Sequence, residues 1–221
     1  MPMKICCVSD LHGHLPKIPS DCDLLLLGGD YSPSTKTELY WLDYTFKPWL
    51  AELSQRMKII GVAGNHDVSF QERPHRIPKL DWTYLQDSGT EWNGIKFWGT
   101  PWQAIFYDWA FNISEIEMAQ KWQLIPEDTD VLLLHGPPYM HGDYTPFGNT
   151  HAGSPSLLTR IEQIQPKLVI AGHFHSGRGR YRIGDTLVLN CTIVNEEYRH
   201  VFEIQELSWP IDIKNELLRP C

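Results

Sequence analysis

Five short apolar runs in this 221-residue chain each end in a residue type that binds metals, and that repetition constrains the fold more than any other feature. Met3–Val8 leads into Ser9-Asp10-Leu11-His12, and Leu24–Leu27 into Gly28-Gly29-Asp30. Ile59–Ala63 leads into Gly64-Asn65-His66-Asp67, Val131–Leu134 into His135-Gly136, and Leu168–Ala171 into Gly172-His173-Phe174-His175. Short runs rich in Val, Ile and Leu read as strands buried on both faces, the mark of an α/β sheet covered by helices. Such sheets bind ligands in the crevice beyond the carboxyl ends of their strands. Five strand ends would therefore bring carboxylates, imidazoles and one amide to a single rim.

The length suits one domain, residues 1–221, with a full core, and no repeat, low-complexity tract or linker-like run divides it. A net charge of −8 argues against a duplex nucleic-acid surface, which needs clustered Lys and Arg to neutralise phosphates. Part of that excess is the candidate ligand carboxylates, so a small anionic substrate remains compatible. The start of the chain lacks a signal-like apolar stretch, and no run approaches the roughly 20 residues needed to span a bilayer. A soluble, cytoplasmic protein without a membrane partner is expected. Cys6, Cys7, Cys22, Cys191 and Cys221 are odd in number and lack zinc-finger spacing, which suggests reduced thiols in packing roles.

Between the second and third runs, Leu39, Trp41, Leu42, Phe46, Trp49, Leu50 and Leu53 have helical spacing, with a break or kink expected at Pro48. Residues 91–99 predict a hairpin turning at Asn93-Gly94. Ser114 with Glu117 predicts a capped helix, and Ser156–Ile164 a further one. Beyond His175, Tyr181–Ile183, Thr186–Val194 and Arg199–Leu207 read as strands, with a turn at Gly184-Asp185. The expected result is two packed sheets flanked by helices.

Seven residues are candidate metal ligands: Asp10, His12, Asp30, Asn65, His135, His173 and His175. Mixed imidazole and oxygen donors suit Mn²⁺, Fe or Zn²⁺ better than Mg²⁺ or Ca²⁺. Seven exceeds the three or four protein ligands of one catalytic ion, so two divalent transition ions are expected, manganese first. Asp10, His12 and His175 would hold one, and Asn65, His135 and His173 the other. Asp30 would bridge them. Two cations about 3.5–4 Å apart suit in-line displacement at phosphorus, the nucleophile being a metal-bridging hydroxide. The leaving alkoxide still needs a proton. His66, pointing away from its neighbour Asn65 at a strand end, is the candidate general acid. Asp67 either holds the His66 ring or caps the next helix.

These five blocks, in this order across nearly the whole chain, resemble the calcineurin-like metallophosphoesterase superfamily. The resemblance implies a four-layer αββα sandwich of two mixed β-sheets flanked by helices, with a two-metal centre at the strand ends. Gly94–Gln103, Trp109-Ala110-Phe111-Asn112, Ile125–Asp130 with His135-Gly136-Pro137-Pro138, and Ile164–Gly177 resemble more narrowly the metallophosphoesterase-domain-containing group. That group includes metal-dependent phosphodiesterases acting on cyclic nucleotides. Some animal members carry Gly in place of a metal-binding His, whereas both His173 and His175 are present here. The protein Ser/Thr phosphatases carry an Asp and an Arg after the second block that orient the catalytic His and grip phosphate; here Tyr31-Ser32-Pro33-Ser34 follows Asp30. A phosphodiester monoanion is thereby favoured over a phosphoprotein.

The resulting expectation is a metal-dependent phosphoric diester hydrolase acting on a small phosphodiester or nucleotide. The alternatives are a phosphomonoesterase or nuclease of the same superfamily, or a non-catalytic scaffold. The loop 137–155 is long enough to cover a site, and His141, Asp143 and His151 are its candidate substrate contacts. Trp98, Trp102 and Trp109 could stack a nucleobase, core packing being the plainer reading. One of Arg178, Arg180 and Arg182 could meet a phosphate, a solvated strand face being the plainer reading.

Overall fold

The apolar runs form strands because two different layers cover their faces. In the computed structural model, which describes residues 2–217, Leu24–Leu27 form β2 and are fully buried. Leu24 and Leu26 enter the layer between two sheets, while Leu25 and Leu27 meet helices outside. The same alternation sorts Ile5 and Cys7 of β1 (Met3–Val8) inward and Cys6 and Val8 outward.

The first sheet continues through β3 (Lys58–Gly61) and β4 (Thr83–Tyr84), all parallel in the order β1, β2, β3, β4. Between β2 and β3, α1 (Glu38–Trp41) passes through a π-helical turn, Leu42–Phe46, into α2 (Lys47–Leu53). The break expected at Pro48 therefore falls just upstream of it. Pro48 has no N–H to return to a carbonyl of the preceding turn, and its own place in the first turn of α2 tolerates that loss. The five-residue α3 (Val68–Glu72) follows β3.

The chain then crosses to the second sheet. β5 (Ser88–Trp92) and β6 (Ile95–Thr100) form the expected hairpin, with Asn93 and Gly94 at φ +50° and +73°. A short parallel pair, β7 (Gln103–Ala104) and β8 (Asn112–Ile113), brackets the segment 105–111. The next helix, α4 (Glu115–Trp122), opens on a complete capping box between Ser114 and Glu117. β9 (Val131–Leu134) is followed by a hairpin of β10 (Tyr144–Thr145) and β11 (Thr150–His151), then α5 (Pro155–Ile164) and β12 (Leu168–Ala171). β13 (Gly179–Ile183) and β14 (Thr186–Asn190) complete the sheet in the order β13-β14-β12-β9-β6-β5.

Finally β15 (Gln205–Trp209) returns to pair antiparallel with β1, and α6 (Ile213–Leu217) follows. The strand expected over Arg199–Leu207 thus begins only at Gln205. Residues 195–200 instead fold into a tight loop, where Asn195 Oδ1 accepts from the N–H groups of Glu197 and Arg199. Helices α1 and α2 cover the outer face of the first sheet, and α4 and α5 that of the second. This is the four-layer αββα sandwich. Among the described residues no helix is long and apolar enough to cross a membrane. The described cysteines, Cys6, Cys7, Cys22 and Cys191, are all buried and free, and Cys221 lies outside the described residues.

The three arginines past His175 serve the fold. Arg178 reaches the carbonyls of Thr192 and Glu203, Arg182 pairs with Asp185, and Arg180 Nη1 lies 2.6 Å from Glu216 Oε2 on α6. Both partners of that last pair are almost wholly buried, so removing Arg180 takes a close counter-charge from a buried carboxylate. Arg180→Ala is expected to lower unfolding stability by about 1.5–3 kcal/mol in urea titration. A loss below about 1 kcal/mol would show that the pair is water-accessible.

Candidate metal centre

All seven candidate ligands stand just beyond the carboxyl ends of parallel strands: Asp10 and His12 after β1, Asp30 after β2, Asn65 after β3, His135 after β9, and His173 and His175 after β12. Both sheets therefore open onto one rim. Four of the seven, Asp10, His12, Asp30 and His173, hold φ between +41° and +68°, a region costly for side-chain-bearing residues. Backbone bonds hold these turns in place. Asp10 N–H donates to the Gly29 carbonyl and His12 N–H to the Asp30 carbonyl, both at 2.9 Å. His173 N–H donates to the Asp10 carboxylate at 3.0 Å.

Two glycines keep the rim tight by lacking a side chain. A Cβ on Gly64 would stand 2.3 Å from Asp30 Oδ1, and one on Gly172 would stand 2.2 Å from Asp10 Oδ2. The chain before Asn65 and before His173 thus presses directly on the carboxylates of neighbouring strands.

The donor atoms fall into overlapping groups. Those of Asp10, His12 and His175 lie within 4.8 Å of one another, as do those of Asp10, Asp30 and His135, and those of His12, Asp30 and His66. Asp30 Oδ2 is 3.4 Å from His135 Nε2 and 3.7 Å from His12 Nε2, a central place between the groups. Asn65 Oδ1 lies 2.9 Å from His135 Nε2 and 2.8 Å from His173 Nδ1. Outer contacts fix two of the rings. His135 Nδ1 meets the Gly28 carbonyl at 2.8 Å and His175 Nδ1 the Asn195 carbonyl at 3.0 Å, leaving each Nε2 turned inward.

The electrostatics favour a cation. Burial opposes charge on Asp10, yet His175 and His135 beside it hold its carboxyl at about 2. Burial likewise opposes charge on Asp30, and His135, His66 and His12 overcome it, holding that carboxyl well below the usual range. Burial pushes His12 down to about 4 and, with His135, pushes His173 down to about 3. Two carboxylates are thus ionised beside two neutral imidazoles, the protonation state metal binding requires. His135 differs: burial lowers it, but Asp30 and Asp10 raise it to about 9, so a cation must displace its proton. His12 Nε2 is buried without a hydrogen-bond partner, an arrangement that calls for a ligand. The donor set therefore fits divalent transition ions.

His66 lies beside this cluster, its ring centroid 4.9 Å from that of His12 and 4.1 Å from that of Trp109. Asp67 neither holds that ring nor caps α3 with its side chain. Its buried carboxylate accepts from the N–H groups of Asp30, Tyr31 and Gly64 at 2.8–2.9 Å, tying the turn after β2 to the turn after β3. His141, Asp143 and His151 stand away from the cleft lining. Asp143 is buried and braces the loop through Met140 N–H, Gly153 N–H and His151 Nδ1, and His141 turns to the Tyr139 carbonyl.

A cleft of about 690 Å³ opens over Asp30, Asn65, His66, His173 and His175. The 137–155 loop borders it through Thr145, Phe147, Thr150 and Ala152. Sequence reasoning missed its other walls: Ile105, Phe106 and Tyr107 on one side, Glu196 and Tyr198 on the other. Tyr107 and Phe147 are 79% and 73% exposed, which a sequence read for burial cannot reveal. Of the tryptophans, Trp109 lines the cleft, Trp102 donates to Asp87, and Trp98 packs against the α4–α5 layer.

A strand-end cluster of carboxylates, imidazoles and one amide in an αββα sandwich defines a metallophosphoesterase. Over residues 3–177 the chain matches the calcineurin-like phosphoesterase profile, and it belongs to that family. It is 32% identical over 226 residues to human metallophosphoesterase domain-containing protein 1, covering 90% of this chain and 68% of that one. This agrees with the narrower resemblance read from the sequence. It is also 29% identical over 249 residues to UPF0046 protein T07D4.2 of Caenorhabditis elegans, covering 97% of this chain and 58% of that one. The crystal structure of TT1561 of Thermus thermophilus shares the fold at 16% identity, with a TM-score of 0.57 over 87% of this chain and 90% of that one.

Asp67→Ala should leave three buried N–H groups without an acceptor, and the expected loss is about 3–5 kcal/mol of unfolding stability with weakened metal retention. Chemical denaturation and metal analysis of the same preparation check this. A variant as stable as the parent would refute the role of Asp67 as the tie between the two turns.

Proposed function

We propose that this chain hydrolyses small phosphodiesters, cyclic nucleotides among them, with two divalent transition ions, manganese first, and with His66 as general acid. Asp10, His12 and His175 would hold one ion, Asn65, His135 and His173 the other, and Asp30 would serve both. When bound, such ions supply Lewis-acid polarisation of the phosphoryl group and a water activated at neutral pH. The residues of the chain provide the rest. The cleft admits the ester arms between apolar walls, and His66 at its floor delivers a proton to the departing oxygen.

The observation that carries the diester reading is the charge of the cleft. Among the described residues that line it there is no Lys or Arg, while Asp30, Asp108 and Glu196 are present. A monoester dianion needs cationic groups beyond the metals, whereas a diester carries one negative charge fewer at neutral pH. The same lining disfavours a nucleic-acid strand, which requires a basic track. Four buried free thiols support a reducing, cytoplasmic setting.

The test compares bis-p-nitrophenyl phosphate with p-nitrophenyl phosphate on metal-stripped protein, with and without Mn²⁺. Manganese-dependent cleavage favouring the diester is expected, and preference for the monoester would contradict the reading. His66→Ala should keep its metals yet lose roughly 10²–10⁴-fold in turnover of a diester with an alkoxide leaving group. A nitrophenolate leaving group, which needs little protonation, should lose less. Equal losses with both would remove the general-acid role.

A further inference from the structure

A general acid must present one ring nitrogen to the leaving oxygen, and an imidazole is usually held for this by a carboxylate or carbonyl on its other nitrogen. His66 has no such partner among the described residues. Its backbone N–H donates to Asp30 Oδ1 at 2.7 Å, and the carboxylate of the adjoining Asp67 is engaged with backbone N–H groups. An Asp30 carboxylate oxygen comes within 4.8 Å of a His66 ring nitrogen without a hydrogen bond between them, and the other neighbours of the ring are aromatic. Trp109 lies against one face, centroids 4.1 Å apart and planes inclined by 35°. His12 meets it edge-on at 4.9 Å, and Tyr198 at 6.1 Å and 70°.

Trp109 is itself held to both flanks of His66. The N–H of Ala110 donates to the Asn65 carbonyl at 3.1 Å, immediately before His66. The N–H of Phe111 donates at 2.7 Å to Gln71 Oε1 on α3, the helix that follows His66. The Phe111 side chain is fully buried and seats the segment in the core beneath. Indole and imidazole are therefore mounted on one braced unit. Tyr198, at φ +59° with its carbonyl 3.0 Å from His14 Nε2, adjoins both His12 and His66, its ring centroid 4.6 Å from the first and 6.1 Å from the second.

We propose that Trp109 is the positioning residue for His66, setting the plane of the imidazole by stacking where other sites use a carboxylate. One face of the indole is occupied by His66, so its contribution is orientation of the acid more than a platform for substrate. A ring packed this way cannot tilt out of its plane without losing the contact with the indole, so the plane in which its nitrogens lie is held. The assignment rests on His66 being the general acid.

The test uses Trp109→Ala and Trp109→Phe in the full chain, with metal content confirmed, on bis-p-nitrophenyl phosphate and on a cyclic nucleotide with its alkoxide leaving group. Trp109→Ala should lower kcat for the cyclic nucleotide by about tenfold or more, with KM nearly unchanged and the nitrophenyl diester hardly affected. Trp109→Phe should restore most of the loss. A raised KM with unchanged kcat on both substrates would make the indole a substrate platform and overturn the proposal. So would an equal fall in kcat on both.

A second readout needs no turnover. In the NMR spectrum of metal-free protein, the His66 ring protons, assigned by their loss in His66→Ala, should be displaced by the Trp109 ring current. Trp109→Ala or Trp109→Leu should return them towards ordinary positions, and unmoved resonances would overturn the proposal. If the parent cleaves neither diester, the functional reading fails, while the resonances still decide whether Trp109 sets the ring.

Discussion

One buried carboxylate ties together the turns on which this site depends. Asp67 receives N–H bonds from Asp30, Tyr31 and Gly64, and so joins the turn after the second strand to the turn after the third. Those turns present Asp30 and Asn65, and Asp30 stands at the centre of the donor cluster. Four candidate ligands sit in left-handed backbone conformations, each costing of order 1–3 kcal/mol, which persist only where the surroundings over-determine them. Parallel strands buried on both faces supply that rigidity. At the rim that strain serves to turn candidate ligands from both sheets towards one another.

The division of labour within the acidic groups follows from this. Asp10 and Asp30 face the donor cluster and remain ionised because imidazoles surround them. Asp67, one residue past His66, faces backbone N–H groups and serves the scaffold. Asp143 does the same for the loop after β9, where it braces Met140, Gly153 and His151. A carboxylate beside a ligand in sequence is thus as apt to hold the turn as to take part in chemistry, since a strained turn has unpaired N–H groups to satisfy.

Much of the fold was legible in the sequence, as was the gathering of the candidate ligands at one rim, because both follow from local pattern. Short uninterrupted apolar runs rich in Val, Ile and Leu fit central strands, and ligand types repeated at their ends meet here because those strands run side by side in two packed sheets. The Asn93-Gly94 hairpin and the Ser114 capping box were equally local and equally readable. The substrate side was harder. The roles of Asp67, His141 and His151 depend on which partner a polar group finds across the fold, and spacing does not encode that. Tyr198 falls between the two strands expected at Thr186–Val194 and Arg199–Leu207, and nothing in the sequence marks that the Asn195 side chain folds the segment into a loop beside the site. The exposed lining residues Ile105, Phe106 and Tyr107 drew no assignment from the sequence, since apolar residues carry no mark of which side faces water.

The central claim is that seven strand-end residues form a two-ion centre with Asp30 between the ions, and metal stoichiometry tests it most directly. Calorimetric titration of metal-stripped protein with Mn²⁺, checked by elemental analysis, should find two ions per chain. The same titration of Asp30→Asn should show both ions weakened together, because the residue that spans them has lost its charge. A parent that binds no transition ion, or an Asp30→Asn variant that holds two as tightly as the parent, would contradict the account.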